Sequence, residues 1–172
     1  MIRFREINLD DAEFLSIFVS QLDSQSEYLL FEPGERKNSI QTTQSYLSKI
    51  ASNEKSAVFI AENTKAEIVG FVCGEVIQLK RVAHTMKVNI GVLKACRGSG
   101  VGKTLGGMIL EHAEEVGIER IEATVIKENT ISLNLFQKLG FEIEGIKKCS
   151  IKIADNFHDK YLLAKLYISN KS

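Results

Sequence analysis

The stretch Val88-Asn89-Ile90-Gly91-Val92-Leu93-Lys94-Ala95-Cys96-Arg97-Gly98-Ser99-Gly100-Val101-Gly102-Lys103-Thr104 combines an apolar strand, a glycine-rich turn and the start of a helix. Its glycines at 98, 100 and 102 allow positive φ and carry no side chains, so several backbone N–H groups can converge on one anion at the positive end of the helix. Arg97 and Lys103 flank the turn with positive charge. The pattern favours a phosphate or pyrophosphate ligand over a purely structural turn.

Two other phosphate-binding motifs fit this stretch poorly. A P-loop ending in Gly102-Lys103-Thr104 needs an earlier glycine at the position where Arg97 stands. The next apolar strand, Ile121 to Ile126, is followed by Lys127-Glu128 instead of the aspartate that holds magnesium in that class. A dinucleotide-binding turn needs its third glycine where Lys103 stands. Neither a nucleotide triphosphate site nor a dinucleotide site is favoured.

A second motif follows the turn, in the block Glu128-Asn129-Thr130-Ile131-Ser132-Leu133-Asn134-Leu135-Phe136-Gln137-Lys138-Leu139-Gly140-Phe141-Glu142. This block resembles the signature Asn-x-x-Ala/Ser-x-x-Leu-Tyr-x-Lys-x-Gly-Phe of the GCN5-related N-acetyltransferases (GNAT). The turn Arg97-x-x-Gly100-x-Gly102 resembles their Arg/Gln-x-x-Gly-x-Gly/Ala motif. Both motifs stand in the family's order within residues 58 to 147. The tail, Gly145 to Leu166, resembles with less specificity the branch of ribosomal-protein and small-amine acetyltransferases.

Apolar periodicity predicts an α/β chain whose elements run strand, two helices, three strands, helix, strand, helix and two strands. No break in composition divides the chain, so residues 1–172 are expected to form one domain with a single mixed, largely antiparallel, twisted sheet flanked by helices. The resemblance implies the acyl-CoA N-acyltransferase fold, with a splayed strand pair for the cofactor. The predicted elements are Ile2 to Ile7, a helix capped by Asp10 or Asp11, Ser39 to Ile50, Ala57 to Glu62, Ile68 to Leu79, Thr85 to Val92, a helix closed by Gly117, Ile121 to Ile126, Thr130 to Leu139, and two strands around Asp155-Asn156.

Composition excludes several classes of protein. The 172 residues carry 22 basic and 22 acidic side chains, so the net charge is zero. A protein without net positive charge is not expected to bind nucleic acid or an anionic membrane through its overall charge. Cys73, Cys96 and Cys149 form no close pair of the kind that metal or redox motifs need, which favours a reducing, cytoplasmic setting and no metal. No apolar run of about 18 residues predicts a membrane span.

The resemblance also implies where acetyl-coenzyme A (acetyl-CoA) binds. The pantetheine arm would pair with the backbone of the splayed strand near Val92, and the pyrophosphate would lie on the turn. Gly91 fits a close approach of ligand, or equally a strand bulge. Asn129 fits a pantetheine contact, a helix N-cap, or both. The implied cofactor-binding residues are Ile90, Gly91, Val92, Arg97, Gly98, Ser99, Gly100, Val101, Gly102, Lys103, Asn129 and Phe136.

Phe136 departs from the family pattern, because many members carry a tyrosine there that protonates the leaving thiolate. Either the thiolate leaves unprotonated, or water or another residue supplies the proton, and Phe136 then serves in packing. The candidate general bases are Glu75, Glu32 and His84, and each is alternatively a solvated surface group. Met86 stands where the histone-modifying branch of the family has a glutamate, so that mechanism does not carry over.

The acceptor is expected to contact the first two helices, the loop Tyr28 to Asn38 and the final hairpin. Glu27, Glu32 and Glu35 give this region an acidic rim that would attract a cationic amine, or else a solvated loop. The leading hypothesis is an acetyl-CoA-dependent N-acetyltransferase acting on a small-molecule amine or a protein N-terminus, with a homodimer as one option for assembly. The alternative is a non-catalytic module that binds and senses acyl-CoA.

Overall fold

The computed structural model describes residues 1–167 and contains one seven-stranded sheet with the order β1-β2-β3-β4-β5-β7-β6. All neighbouring strands are antiparallel except β4 and β5, which are parallel. This is the mixed, largely antiparallel sheet that the sequence predicts. The strands are β1 Arg3–Glu6, β2 Ala57–Glu62, β3 Ile68–Val76, β4 Thr85–Val92, β5 Arg120–Ile126, β6 Glu142–Ile153 and β7 Asn156–Leu166.

Helices cover both faces of the sheet. The helices are α1 Ala12–Gln25, α2 Ile40–Ala51, α3 Val101–Glu115 and α4 Thr130–Lys138. Helix α3 buries Leu105 and Ile109 against one face, where they join Val72 of β3 in a common core. Helices α1 and α2 bury Phe18 and Leu47 in a second core on the opposite face. Each of these side chains contributes about 2 kcal/mol through burial.

The parallel pair β4 and β5 separates soon after it forms. Their register covers Thr85↔Arg120, Met86↔Ile121 and Lys87↔Glu122, and no later pair joins them within the described residues. Beyond this point β4 remains paired with β3 as far as Val92, and β5 with β7 as far as Ile126. The two strands therefore diverge into a V, which is the splayed pair that the resemblance implies.

Two expectations at element ends are wrong. Strand β3 ends at Val76, not at Leu79, since Ile77 and Leu79 lie exposed in the connection to β4. Asp11 precedes α1 as expected but makes no side-chain cap, because its carboxylate accepts hydrogen bonds from Arg5 at 2.7 and 2.8 Å. Asn8 instead caps the short 3-10 turn that leads into the helix.

Within residues 1–167, no helix is both long and apolar enough to cross a membrane. The prediction of one domain over 1–172 stays a prediction, because residues 168–172 lie outside the described part of the chain.

Candidate active site

The glycine turn between β4 and α3 has the conformation that its sequence predicts. Gly98 and Gly100 have φ of +76° and +90°, in the left-handed region that costs other L-residues about 1–2 kcal/mol. Gly100 is the N-cap of α3, and its carbonyl accepts the first helical hydrogen bond, from the Thr104 N–H at 3.0 Å. The N–H groups of Val101, Gly102 and Lys103 precede that bond and have no helical acceptor. They form a set of donors at the positive end of the helix.

Three cationic residues lie near these donors in the sequence. Lys94, Arg97 and Lys103 are exposed, and none has a carboxylate within 4 Å among the described residues. Arg97 is anchored because its Nε donates to the Val92 carbonyl at 3.0 Å. Ser99 closes the turn by donating from Oγ to the Cys96 carbonyl at 2.7 Å. Free N–H groups and unpaired cations together fit a pyrophosphate.

The free edge of β4 leads from this turn into the V. The Leu93 N–H donates to the Val69 carbonyl of β3. Because successive residues of a strand direct their N–H and C=O groups to opposite sides, the backbone groups of Ile90 and Val92 point toward β5. The β4–β5 ladder has ended by then, so these groups have no strand partner on that side. An extended ligand carrying amide groups could add to this edge as a strand does.

Gly91 leaves no room for a side chain, because Leu22 and Phe71 pack directly against its backbone. A Cβ at this position would lie 2.5 Å from Cδ2 of Leu22 in α1 and 2.9 Å from Cε1 of Phe71 in β3. The β3–β4 register runs through Gly91 without a shift, so the bulge interpretation is wrong. Helix packing therefore explains the missing side chain, while a backbone contact of Gly91 with cofactor stays a prediction.

The two motif residues at α4 have different surroundings: Asn129 caps the start of the helix, and Phe136 is buried in the core. Asn129 is the N-cap of α4, and its Oδ1 accepts from the Ser132 N–H at 3.2 Å, which leaves its amide NH₂ for another partner. Phe136 is 4% exposed and packs edge-on against Phe141 at 5.0 Å between ring centroids. Its side chain thus lies in the core, as the packing interpretation predicts, and its cofactor contact stays untested.

A shallow cavity lies at the vertex of the V, on the face that α1 and α2 cover. Glu75 of β3, Lys87 of β4 and Glu122 of β5 are register neighbours across the three strands, so their side chains share this face. The cavity has a volume of about 240 Å³, and its lining comprises Glu75, Ile77, Val82, Thr85, Lys87 and Glu122.

Glu75 is held by two side chains of α2, Tyr46 and Lys49. The Tyr46 hydroxyl of α2 donates to its carboxylate at 3.3 Å and lies 2.7 Å from the Cys73 sulfur. Burial, reinforced by the neighbouring Cys73 and Glu75, raises the pKa of Tyr46 well above its usual range. Burial also raises the pKa of Cys73 to about 12. Both groups therefore stay protonated at neutral pH, so Tyr46 remains a donor to Glu75.

The other two candidate bases are not brought to this cavity. His84 is exposed just before the paired segment of β4, at the closed end of the V, and its carbonyl accepts from the N–H groups of Glu119 and Arg120. Glu32 is exposed in the α1–α2 loop, where Glu35 Oε2 accepts from its N–H at 2.9 Å. Of the three predicted bases, Glu75 alone lines the cavity.

The acidic loop is tied to the end of α1. Arg36 bonds the buried Asp23 at 2.7 and 3.1 Å and stacks over the Phe31 ring at 4.1 Å. Glu27, Glu32 and Glu35 are all exposed. Their proposed part in attracting an acceptor stays a prediction.

Sequence reasoning missed Lys87, Tyr46 and Glu122. The alternation of side chains along the predicted strand Thr85 to Val92 could have placed Lys87 on the face of Gly91. The contacts of Tyr46 and Glu122 depend on helix docking and strand register, which no local pattern shows. Among residues 1–167, no cluster of three or more His, Cys, Asp or Glu could hold a metal ion.

A sheet whose parallel strands separate beside a glycine turn at a helix N-terminus defines the acyl-CoA N-acyltransferase fold. The model of the Acetyltransferase (GNAT) family matches residues 16–141 of this sequence. The chain therefore belongs to the GNAT acetyltransferase family.

Individual relatives agree with this assignment. The L-amino acid N-acetyltransferase AaaT of Escherichia coli is 29% identical over 101 residues, which cover 58% of this chain and 62% of AaaT. The chain spans about 60% of the length of the curated relatives it matches. A crystal structure of a GNAT-family acetyltransferase from Streptococcus pneumoniae is 28% identical and superimposes with a TM-score of 0.91, covering 96% of this chain and 99% of that one.

A more distant structure shares the fold. The structure of yncA from Salmonella typhimurium with its cofactor acetyl-CoA is 13% identical to this chain and has a TM-score of 0.88. The superposition covers 100% of this chain and 97% of that one.

Proposed function

We propose that this protein transfers an acetyl group from acetyl-CoA to a primary amine of a small molecule or a protein N-terminus, by direct attack in a ternary complex. The observation that carries the proposal is the set of free N–H groups and unpaired cations at the start of α3, directly beside the open edge of β4. Family membership and the acetyl-CoA-bound structure of yncA support the choice of donor.

In this proposal the chain acts mainly by positioning the two substrates. The α3 turn binds the pyrophosphate of acetyl-CoA, and the backbone of Ile90 and Val92 pairs with its pantetheine arm. An N–H near Val92 donates to the oxyanion that develops on the thioester carbonyl. Glu75 accepts a proton from the acceptor ammonium, directly or through water. The neutral amine nitrogen then forms the new bond to the acetyl carbon, the carbon–sulfur bond breaks so that coenzyme A leaves as its thiolate, and the second proton of the nitrogen passes to water.

The experiment is a measurement of thiol release from acetyl-CoA with a panel of amines, coupled to mass spectrometry of the acceptors. We expect amine-dependent release and acceptors heavier by one acetyl group. Glu75→Gln is expected to lower kcat at saturating acetyl-CoA by about 100-fold, within the range for loss of a general base. Exposed Glu111 on α3 supplies the matched control, since Glu111→Gln should leave the rate unchanged.

A second candidate function is a non-catalytic acyl-CoA sensor, and Phe136 in place of the family tyrosine is the observation that favours it. Tight binding of coenzyme A without release by any amine would replace the enzyme proposal with this one. Stabilisation by ATP and magnesium, but not by acetyl-CoA, would contradict both. The proposal includes a cytoplasmic setting and, as one option for assembly, a homodimer.

A further inference from the structure

Lys87 is the cation among the six residues that line the cavity at the vertex of the V. It lies directly opposite Glu75 on β3 and beside Glu122 on β5, and it lines the cavity together with both. Directly opposed residues on neighbouring strands have Cβ atoms about 5 Å apart. A lysine between two glutamates would be expected to pair with one of them.

Neither glutamate uses Lys87 as its partner. Glu75 is held by the Tyr46 hydroxyl at 3.3 Å and by the Lys49 ammonium at 3.8 Å. Glu122 accepts from Arg120 at 2.7 Å. No carboxylate of the described residues lies within 4 Å of the Lys87 ammonium. Lys87 is exposed, and within the described residues its ammonium therefore has no carboxylate partner.

The position of Lys87 relates this charge to the proposed reaction. Lys87 forms the last β4–β5 pair before the strands separate, so its side chain stands at the vertex of the V. Asn89, two positions further on the same face, is also exposed, so the sheet is uncovered beside Lys87. On this face Lys87 and Glu75 line the cavity at which β4 and β5 begin to separate, so an acceptor bound there lies beside both side chains.

We propose that Lys87 binds an anionic group of the acceptor while Glu75 faces its amine, so that the preferred acceptor is a zwitterion of the amino-acid type. This inference rests on the proposed acetyl transfer and adds the chemical class of the acceptor. A carboxylate beside the amine satisfies Lys87, whereas a simple amine leaves it without a partner. The residue thus selects acceptors and does not act on the donor.

The test compares each amino acid with the amine that lacks its carboxylate. The probe pairs are L-methionine with 3-(methylthio)propylamine, and L-phenylalanine with phenethylamine. We expect the unmodified protein to favour the amino acid in kcat/KM by about tenfold or more. Lys87→Gln should erase this preference, mainly by raising KM for the amino acid, with little change for the amine. Lys87→Arg should restore part of the preference.

Exposed Lys65, in the turn between β2 and β3, provides the matched control Lys65→Gln, which should keep the full preference. Unchanged acetyl-CoA affinity and melting temperature in Lys87→Gln would show that the variant is folded. Equal use of both members of each pair by the unmodified protein, or an equal loss for both in Lys87→Gln, overturns the role of Lys87. Absence of acetylation with all four probes overturns the acceptor class proposed here, whereas absence of amine-dependent thiol release across the whole amine panel overturns the proposed function as well, so the two failures are distinguishable.

Discussion

At the residue scale, Gly91 and Gly100 are glycines for different physical reasons. Gly100 has φ of +90°, and a Cβ there would meet no atom within 4 Å. Gly91 lies under Leu22 of α1, where a Cβ would be 2.5 Å from the leucine Cδ2. Substitution at Gly100 therefore probes the ligand site, and substitution at Gly91 probes packing.

Gly100→Asp should abolish binding of acetyl-CoA, because it places a carboxylate among the N–H groups that would hold the pyrophosphate. We expect affinity to fall by at least about 100-fold, since like charges replace a favourable helix-terminus contact. Titration calorimetry measures this loss. Circular dichroism would establish that the variant is folded.

The matched control for this variant lies at the other end of α3. Gly117 also has positive φ, +71°, with nothing within 4 Å of a built Cβ. Gly117→Asp introduces the same strain and charge away from the turn, so affinity should be unchanged. Equal weakening in both variants would mean that the pyrophosphate does not lie on the turn.

Gly91→Ala should destabilise the protein by about 1–3 kcal/mol, the usual cost of overpacking a core. The cost should be smaller in a Leu22→Ala background, because truncating the leucine removes the closest contact. Urea unfolding of the four proteins in this cycle measures the coupling between the two positions. Additive effects would show that Leu22 is not what excludes a side chain at position 91.

At the element scale, Arg5 ties β1 to two other elements. Its guanidinium bonds Asp11, at the start of α1, and Glu62 at the end of β2. The Arg5 hydrogen bonds hold the pKa of Asp11 below its usual value, against the opposing effect of burial. The ionised pair therefore stabilises the folded state relative to the unfolded chain.

This pair predicts a specific acid sensitivity. The pKa of Asp11 is lower in the folded state than in the unfolded chain, where it is about 4. The stability that the ionised carboxylate contributes is therefore complete above the unfolded pKa. It is lost as the pH falls through the folded pKa. The free energy of unfolding should therefore begin to fall as the pH drops to the unfolded pKa, about 4, and continue to fall below it. Asp11→Asn should start about 2 kcal/mol lower at pH 7 and show a shallower decline. Parallel pH profiles for the two proteins would contradict this role.

The elements that carry motifs were predictable because their signals are local. Gly98, Gly100 and Gly117 mark where α3 begins and ends, and alternation of apolar residues marks β4. The end of β3 at Val76 was missed because Ile77 and Leu79 continue the apolar pattern although both are exposed. The predicted side-chain cap by Asp11 does not form, because Arg5, on another element, binds the carboxylate.

At the scale of the whole molecule, a net charge of zero conceals two unlike regions. Lys94, Arg97 and Lys103 stand unpaired beside the start of α3, while the vertex of the V carries Lys87 between two glutamates. The charges of Arg97 and Lys103 beside the turn were predictable from sequence, because these residues flank consecutive glycines. The group of Glu75, Lys87 and Glu122 at the vertex was not predictable from sequence, because it depends on the register of three strands and on the docking of α2.

The central claim is that the α3 turn and the separated edge of β4 together form the donor site, and hydrogen–deuterium exchange with and without acetyl-CoA tests it most directly. Ligand should slow exchange in peptides covering residues 90–92 and 98–103, because their free N–H groups gain acceptors. Peptides from β1 and α2 should change little. Protection confined to other elements, with 90–103 unaffected at saturating acetyl-CoA, would contradict the account.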